Sequence, residues 1–242
     1  MKVTVIIPAI NEAASIQLAV NSAWQAGADE VVVADGGSKD DTISIAVRLG
    51  CQVVTSGAGR AIQQNAGARR AVGEMLVFLH ADNHLAPDAL AQIRQACRDT
   101  AVKHGAFKQR IKASGICYRL LEWGNAWRVR WCGTPYGDQT IFVRRELFCE
   151  LGGFPEVRLM EDVMLAKRTR KESWPLLLDG PVYIDARRWQ RHGVIRQTLR
   201  NWMLLTAFRL GYSTESLARF YRRHDGGIEA DSIRQIDERG DA

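Results

Sequence analysis

Asp35 ends an apolar, β-branched run and is followed at once by Gly36 and Gly37. A carboxylate at that point suits a ribose or base edge, and the glycines let the backbone turn tightly beneath a ligand. Enzymes that grip a dinucleotide also place an acid there. They carry G-x-G-x-x-G after the first strand, however, and this chain has Pro8-Ala9-Ile10-Asn11-Glu12. Its one G-x-G, Gly57-Ala58-Gly59, follows the third apolar run and reads as turn chemistry. Without a backbone grip, a diphosphate needs another counter-charge, and a hard divalent cation on carboxylate oxygen is the usual one. Asp82, just after the fourth run, stands where such a ligand belongs, although an Asp there also serves as a turn or cap residue. Arg187 and Arg188 offer guanidinium forks that match phosphate oxygens bidentately; the alternative is a solvated basic face.

The elements that would position these residues follow from periodicity. Residues 3–8, 30–35, 51–55 and 75–80 are short runs rich in β-branched side chains and read as buried parallel strands. Between them, residues 15–25, 40–49 and 60–72 read as helices, the last two closed by Gly50 and Gly73. This alternation predicts an α/β fold, a Rossmann-like, mainly parallel sheet flanked by helices, with ligands outside the carboxyl ends of the strands. Beyond residue 100 the pattern loosens. Strands are expected at 105–111, 140–144 and 176–184, an aromatic-rich helix at 115–131 and an amphipathic helix at 196–210. No linker composition separates the halves, so residues 1–221 read as one domain, 1–100 its nucleotide-binding half and 101–221 its acceptor side. Residues 222–242 read as a charged, flexible tail. Trp123, Trp127, Trp131 and Tyr136 lie at near-helical spacing and are expected in the core, with a sugar or lipid stacking on one of them as the alternative. For the helix holding Trp202 and Phe208, burial on its own sheet is the simpler expectation; contact with a membrane or a twin subunit is the other.

Composition narrows the field. With 46% hydrophobic and 25% charged residues in 242, the chain is an ordinary globular protein. Its five cysteines contain no C-x-x-C pair, which argues against a zinc or redox site and for buried free thiols. The start shows no signal peptide and no apolar run approaches the ~20 residues of a membrane span, so a cytoplasmic location is expected. The formal charge of +6 is uneven: nine arginines between Arg187 and Arg223 face only Asp185 and Glu215. That points to an anionic partner without choosing among nucleic acid, an acidic membrane surface and a diphosphate.

Five ordered pieces together carry a resemblance. Residues 5–12, 33–42 and 60–68, the Phe78-Leu79-His80-Ala81-Asp82 run, and Gly152-Gly153-Phe154 through Glu161-Asp162 resemble the motifs of family 2 inverting glycosyltransferases of the GT-A fold. The shorter Gly137-Asp138-Gln139 and Arg187-Arg188-Trp189 pieces are similar to a compact, soluble bacterial subfamily linked to arsenosugar biosynthesis.

The resemblance implies a nucleotide-diphosphate sugar donor, UDP above other bases, and a divalent Mn or Mg ion as cofactor. Pro8, Ala9, Asn11, Glu12, Asp35 and Gly36 would line the nucleoside pocket and Arg60 would approach base or phosphate. Asp82 would carry the cation, with His80-Ala81 in place of the family's first Asp and its neighbour, and His192 would complete the metal shell. Asp162 would be the catalytic base, at a helix start whose dipole suits a carboxylate, and Asp138 the second candidate for base or acceptor ligand. The acceptor, small or lipid-linked, is left open, as are a homodimer and peripheral membrane contact. Two other activities compete. Nucleotidyl transfer onto a sugar phosphate lacks its glycine-rich, basic loop, and a nucleic-acid-binding module lacks any helix-turn-helix, zinc-finger or RNP pattern, so no nucleic-acid partner is expected.

Overall fold

The computed structural model describes residues 1–224, leaving aside the side chains of Arg188, Arg191, His192 and residues 221–224. The reading of 222–242 as a flexible tail thus falls almost wholly outside the described residues. In chain order the elements are β1 (Val3–Ala9), α1 (Ile16–Gln25), β2 (Glu30–Asp35), α2 (Thr42–Arg48), β3 (Gln52–Thr55), α3 (Arg60–Arg70), β4 (Met75–Phe78), β5 (His84–Leu85) and α4 (Ala89–Ala96). There follow β6 (His104–Ile111), α5 (Ile116–Cys132), a short 3-10 turn (Gly137–Gln139), β7 (Phe142–Arg144), α6 (Arg145–Glu150), α7 (Glu161–Glu172), β8 (Leu176–Ile184), α8 (Arg187–His192), α9 (Val194–Arg209) and α10 (Thr214–His224).

One sheet of order β3-β2-β1-β4-β7-β6-β8-β5 runs through both halves. Strands β3, β2, β1 and β4 pair in parallel, β7 runs antiparallel to both β4 and β6, and β8 is parallel to β6. The chain leaves β1 toward β2 and returns to β4 on its other side, so the strand order reverses between β1 and β4. That switch point opens a crevice at their carboxyl ends.

The continuous apolar runs are sorted between two faces by the two-residue period of a strand. Val3, Val5 and Ile7 of β1 join Met75 and Val77 of β4 under α1 and α4. Ile6, Leu76 and Phe78 point the other way, onto α3, α6 and the Phe148–Phe154 pair. Helix α3 lies so close to the sheet that a Cβ on Gly67 would stand 2.5 Å from the Ile6 Cγ2.

Several expectations need correction. Strand β3 is half exposed rather than buried, because β2 is its one sheet neighbour. The fourth strand stops at Phe78, so His80 and Asp82 belong to the loop beyond it. Cys97 alone of the cysteines is buried, and Cys117 and Cys149 are exposed. Trp123, Trp127 and Trp131 are not core residues but lie open to solvent. Helix α9 does not pack on the sheet: it buries Leu204 against Met160, Val163 and Leu217, leaving Trp202 outside. No helix among the described residues is long and apolar enough to cross a membrane.

Candidate active site

At the carboxyl ends of β1 and β2 two loops are stitched to each other. The Asn11 N–H donates to the Ser38 Oγ (2.9 Å), and the Asn11 Oδ1 accepts from the Lys39 N–H (2.8 Å). The Glu12 N–H donates to the Thr42 hydroxyl (2.8 Å) and the Ala13 N–H to Asp40 (3.0 Å). From α3, the Gln63 amide reaches both strand ends, donating to the carbonyls of Ala9 (2.7 Å) and Ala34 (3.0 Å). A Cβ on Gly36 would meet that amide at 3.0 Å, so the second-strand turn tolerates little more than glycine there.

Asp35 differs from the expectation of a group facing the ligand. It is fully buried, and its carboxylate accepts from the N–H groups of Gly37 (2.7 Å) and Ser38 (2.9 Å) and from the Ser38 hydroxyl. Its place is the loop's interior, where it holds the Gly37–Ser38 backbone in shape.

A second cluster forms around Gly137. The Gly137 N–H donates to the Asp162 Oδ2 at 2.6 Å, and the Asp162 Oδ1 accepts from the Val163 N–H at 2.7 Å. A Cβ on Gly137 would lie 3.0 Å from the His80 Nε2 and 3.3 Å from the Asp162 Oδ2. The end of β4, the Gly-Asp-Gln turn and the first turn of α7 therefore meet at one glycine, and the family-implied residues His80, Asp138 and Asp162 are neighbours in space. The turn itself is held by Asn83, whose N–H donates to the His80 carbonyl (3.0 Å) and whose amide reaches the Asp138 carbonyl (3.5 Å).

The two clusters are tied by Arg60, at the start of α3, whose guanidinium donates to Glu161 at 3.1 Å. Burial pushes the Glu161 carboxyl above the ordinary 4.5, with Asp162 adding to the rise and Arg60 opposing it. Glu161 is thus a buried partner that fixes the Arg60 guanidinium at the start of α7. On the other side, Asn65 clamps Phe154, donating to its carbonyl (2.8 Å) and accepting from its N–H (2.9 Å), which fixes the Gly152-Gly153 bend ahead of α7.

Backbone strain concentrates here. Among the described residues, the non-glycine residues with positive φ are Asn11 (52°), Thr140 (51°) and Met160 (72°). One lies in the first loop, one directly after the Gly-Asp-Gln turn, and one directly before Glu161-Asp162. Such conformations cost free energy and persist where surrounding contacts dictate them, commonly at functional sites.

Arg128 escaped the sequence reading. It reaches under the turn from α5, donating to the carbonyl of Thr134, to the Gln139 Oε1 (2.9 Å) and to Asn125 (3.4 Å), with its guanidinium 3.2 Å over the Tyr136 ring. Desolvation holds its pKa below the ordinary arginine value, while Tyr136, Asp138 and Asp162 pull it back up. Its spacing ahead of a Gly-x-Gln turn was the available signal, hidden among the tryptophans.

Other expected residues stand apart. Asp82 is exposed past the strand end, with no ion pair among the described residues. Arg187 is exposed and its Nε holds Asp185 at 2.8 Å rather than a member of either cluster. The side chains of Arg188 and His192 lie outside the description. Among the described residues no three His, Cys, Asp or Glu side chains converge as a metal cage. A lone exposed carboxylate does fit a cation shared with substrate phosphates, the usual arrangement for a small hard ion. A separate cavity of about 190 Å³ adjoins the site behind Tyr136 and Val163, lined also by Lys167, Arg170, Phe208 and Arg209.

The sheet order, the switch-point crevice and the clusters at its mouth define an α/β fold of the GT-A type. The chain belongs to glycosyl transferase family 2, whose profile matches residues 4–146, and it is a glycosyltransferase. Among solved structures it is similar to S. aureus TarS, with 17% identity over 96% of this chain and 45% of that one and a TM-score of 0.64. The 1–349 portion of TarS in complex with UDP-GlcNAc gives 19% identity, 96% and 75% coverage and a TM-score of 0.64. Glucosyl-3-phosphoglycerate synthase from Mycobacterium tuberculosis, in complex with Mn2+, UDP and glucosyl-3-phosphoglycerate, gives 19% identity, 76% and 69% coverage and a TM-score of 0.55. At these identities the likeness is one of fold, and the chain spans under half of the full TarS chain. No curated protein matches it by sequence. Of the activities weighed from sequence, sugar transfer is the one this family carries.

Proposed function

We propose that the protein transfers a sugar, with inversion, from a UDP-sugar to an acceptor hydroxyl, and that Asp162 is the base. The observation that carries this is the meeting of His80, Gly137 and Asp162 at the β4 end, beside the stitched loops of β1 and β2. Both Asp162 oxygens accept a backbone N–H, which fixes the plane of the carboxylate while each oxygen keeps a further lone pair.

In this reading Pro8, Ala9, Asn11, Glu12 and Gly36 surround the nucleoside, Asp35 holds their loop in shape, and Arg60 faces the base or phosphates. Asp82 with His80-Ala81 lies toward the diphosphate, where a divalent Mn or Mg ion on Asp82, and on His192 from the C-terminal side, would neutralise the departing charge. The relatives with bound UDP, UDP-GlcNAc and Mn2+ support the choice of donor and cofactor. Arg187 and Arg188 would close on the phosphates. An acceptor hydroxyl oxygen attacks the anomeric carbon, its proton passes to Asp162, and the bond to the diphosphate oxygen breaks with the electron pair leaving on UDP. Asp138, in the turn above Arg128, orients the acceptor, which we take to be a small or lipid-linked molecule. The narrower subfamily reading rests on the Gly137-Asp138-Gln139 and Arg187-Arg188-Trp189 pieces alone.

Calorimetric titration with UDP and GDP, with and without Mn2+ or Mg2+, tests the binding step, and UDP release from a panel of UDP-sugars tests turnover. Asp162→Asn should lower UDP release by about 10²–10⁴-fold while UDP still binds. Absence of nucleoside diphosphate binding under every condition would refute the proposal.

A further inference from the structure

Helix α5 exposes Ile116, Leu120, Trp123, Trp127 and Trp131, each at least 50% accessible. Their spacing of i, i+4, i+7, i+11 and i+15 places them on one face of a five-turn helix whose other face packs on β6. Helix α9 exposes Ile195, Leu199, Trp202 and Met203 in the same way. Large apolar side chains exposed along one face of each of two helices mark an interaction surface more often than isolated exposed residues do.

The two helices adjoin at their C-terminal ends. Cys132 of α5 and Leu205, Phe208 and Arg209 of α9 line one cavity, and exposed Trp174 donates its indole N–H to the Arg130 carbonyl of α5 (3.2 Å). Charge selects the occupant. Helix α9 contains Arg196, Arg200 and Arg209 and no acidic residue. The acid of the α5 face, Glu122, is nearly buried and held by Arg119 (3.0 Å) and Arg110 (3.4 Å). A second copy would bring another net +6 against this basic surface, whereas lipid phosphates are complementary to it. Tryptophan is also the side chain best suited to a boundary that is apolar on one side and wet on the other.

We propose that the exposed faces of α5 and α9 seat the protein on an anionic lipid bilayer. With no spanning helix among the described residues, it lies on the surface with its tryptophans at headgroup depth and the exposed Arg196 and Arg209 of α9 against phosphate. This inference stands apart from the transfer reading, because vesicle binding is measured without donor or turnover.

The test is co-sedimentation of the whole chain with phosphatidylcholine vesicles, alone and with added phosphatidylglycerol. Binding should rise with the anionic lipid, fall with salt, and drop about tenfold or more in Trp123→Ser/Trp127→Ser/Trp202→Ser. Melting temperature and circular dichroism serve as fold controls, and Arg196→Ser/Arg209→Ser should give the same loss by removing charge alone. No binding to mixed vesicles, equal binding to both kinds, or indifference to the tryptophan substitutions would overturn the proposal. So would a dimer in sedimentation velocity that those substitutions abolish, because the stripes would then belong to a second copy.

Discussion

Gly137 is the residue on which the proposed chemistry turns. A methyl group there would press on His80 and Asp162 together, so Gly137→Ala should depress UDP release strongly with a small change in melting temperature. Equal activity of that variant would show that the three residues do not act as one site. Arg60 offers a test with a sign. The Glu161 carboxyl sits above its ordinary 4.5, so its contribution to stability is present below that pH and is lost as pH rises through the raised value. Removing Arg60 raises the value further. Arg60→Ala should therefore destabilise at pH 8, and the deficit should shrink toward pH 4 in chemical denaturation series. Asp35→Ala, which strands three donors in the second loop, should cost about 1–3 kcal/mol and weaken UDP binding with it.

At the scale of elements, β6 begins with buried His104, whose Nε2 pairs with the Ser173 carbonyl at 2.9 Å. Burial holds its pKa below the ordinary 6.5. A base depressed in the folded state contributes stability above its unfolded pKa and loses it as pH falls toward the folded value. Melting curves should show the wild type losing stability below about pH 6.5, and His104→Gln should flatten that part of the profile. The first half was legible because local signals agreed: β-branched runs end at glycines and acids, and β1, β2 and β4 lie within three residues of their expected ends. In the second half β6, α5, β7, β8 and α9 also lie within two residues of their expected ends, and what escaped was the short β5, which is set by a distant contact. Strand β5 is two residues long and exists by pairing with β8, about a hundred residues on. The tryptophans of α5 misled for a related reason: apolar spacing reveals a helix face, and what covers that face lies outside the chain's own pattern. In the candidate site, Asp162 came from the resemblance and Asp82 from its place after a strand, whereas Arg128, the inward turn of Asp35 and the Arg60–Glu161 bridge required the fold.

Across the whole molecule the two clusters lie on either side of the switch point. The stitched loops of β1 and β2 occupy one side of the switch point. The Gly137 cluster, with Arg128 beneath it and the α5 and α9 surface beyond, occupies the other. A donor held on the first side and an acceptor arriving from the second would meet at Asp162, and a bilayer under α5 and α9 would suit an acceptor carried on a lipid. The most direct measurement is a crystal structure of the protein with UDP and Mn2+. The expected result is the uracil against Ala9, Asn11 and Gly36, and the diphosphate reaching past Arg60 to a cation on Asp82, with Asp162 facing the open end of the phosphates. UDP seated instead in the cavity between α5, α7 and α9, or bound with its phosphates away from Asp82, would contradict it.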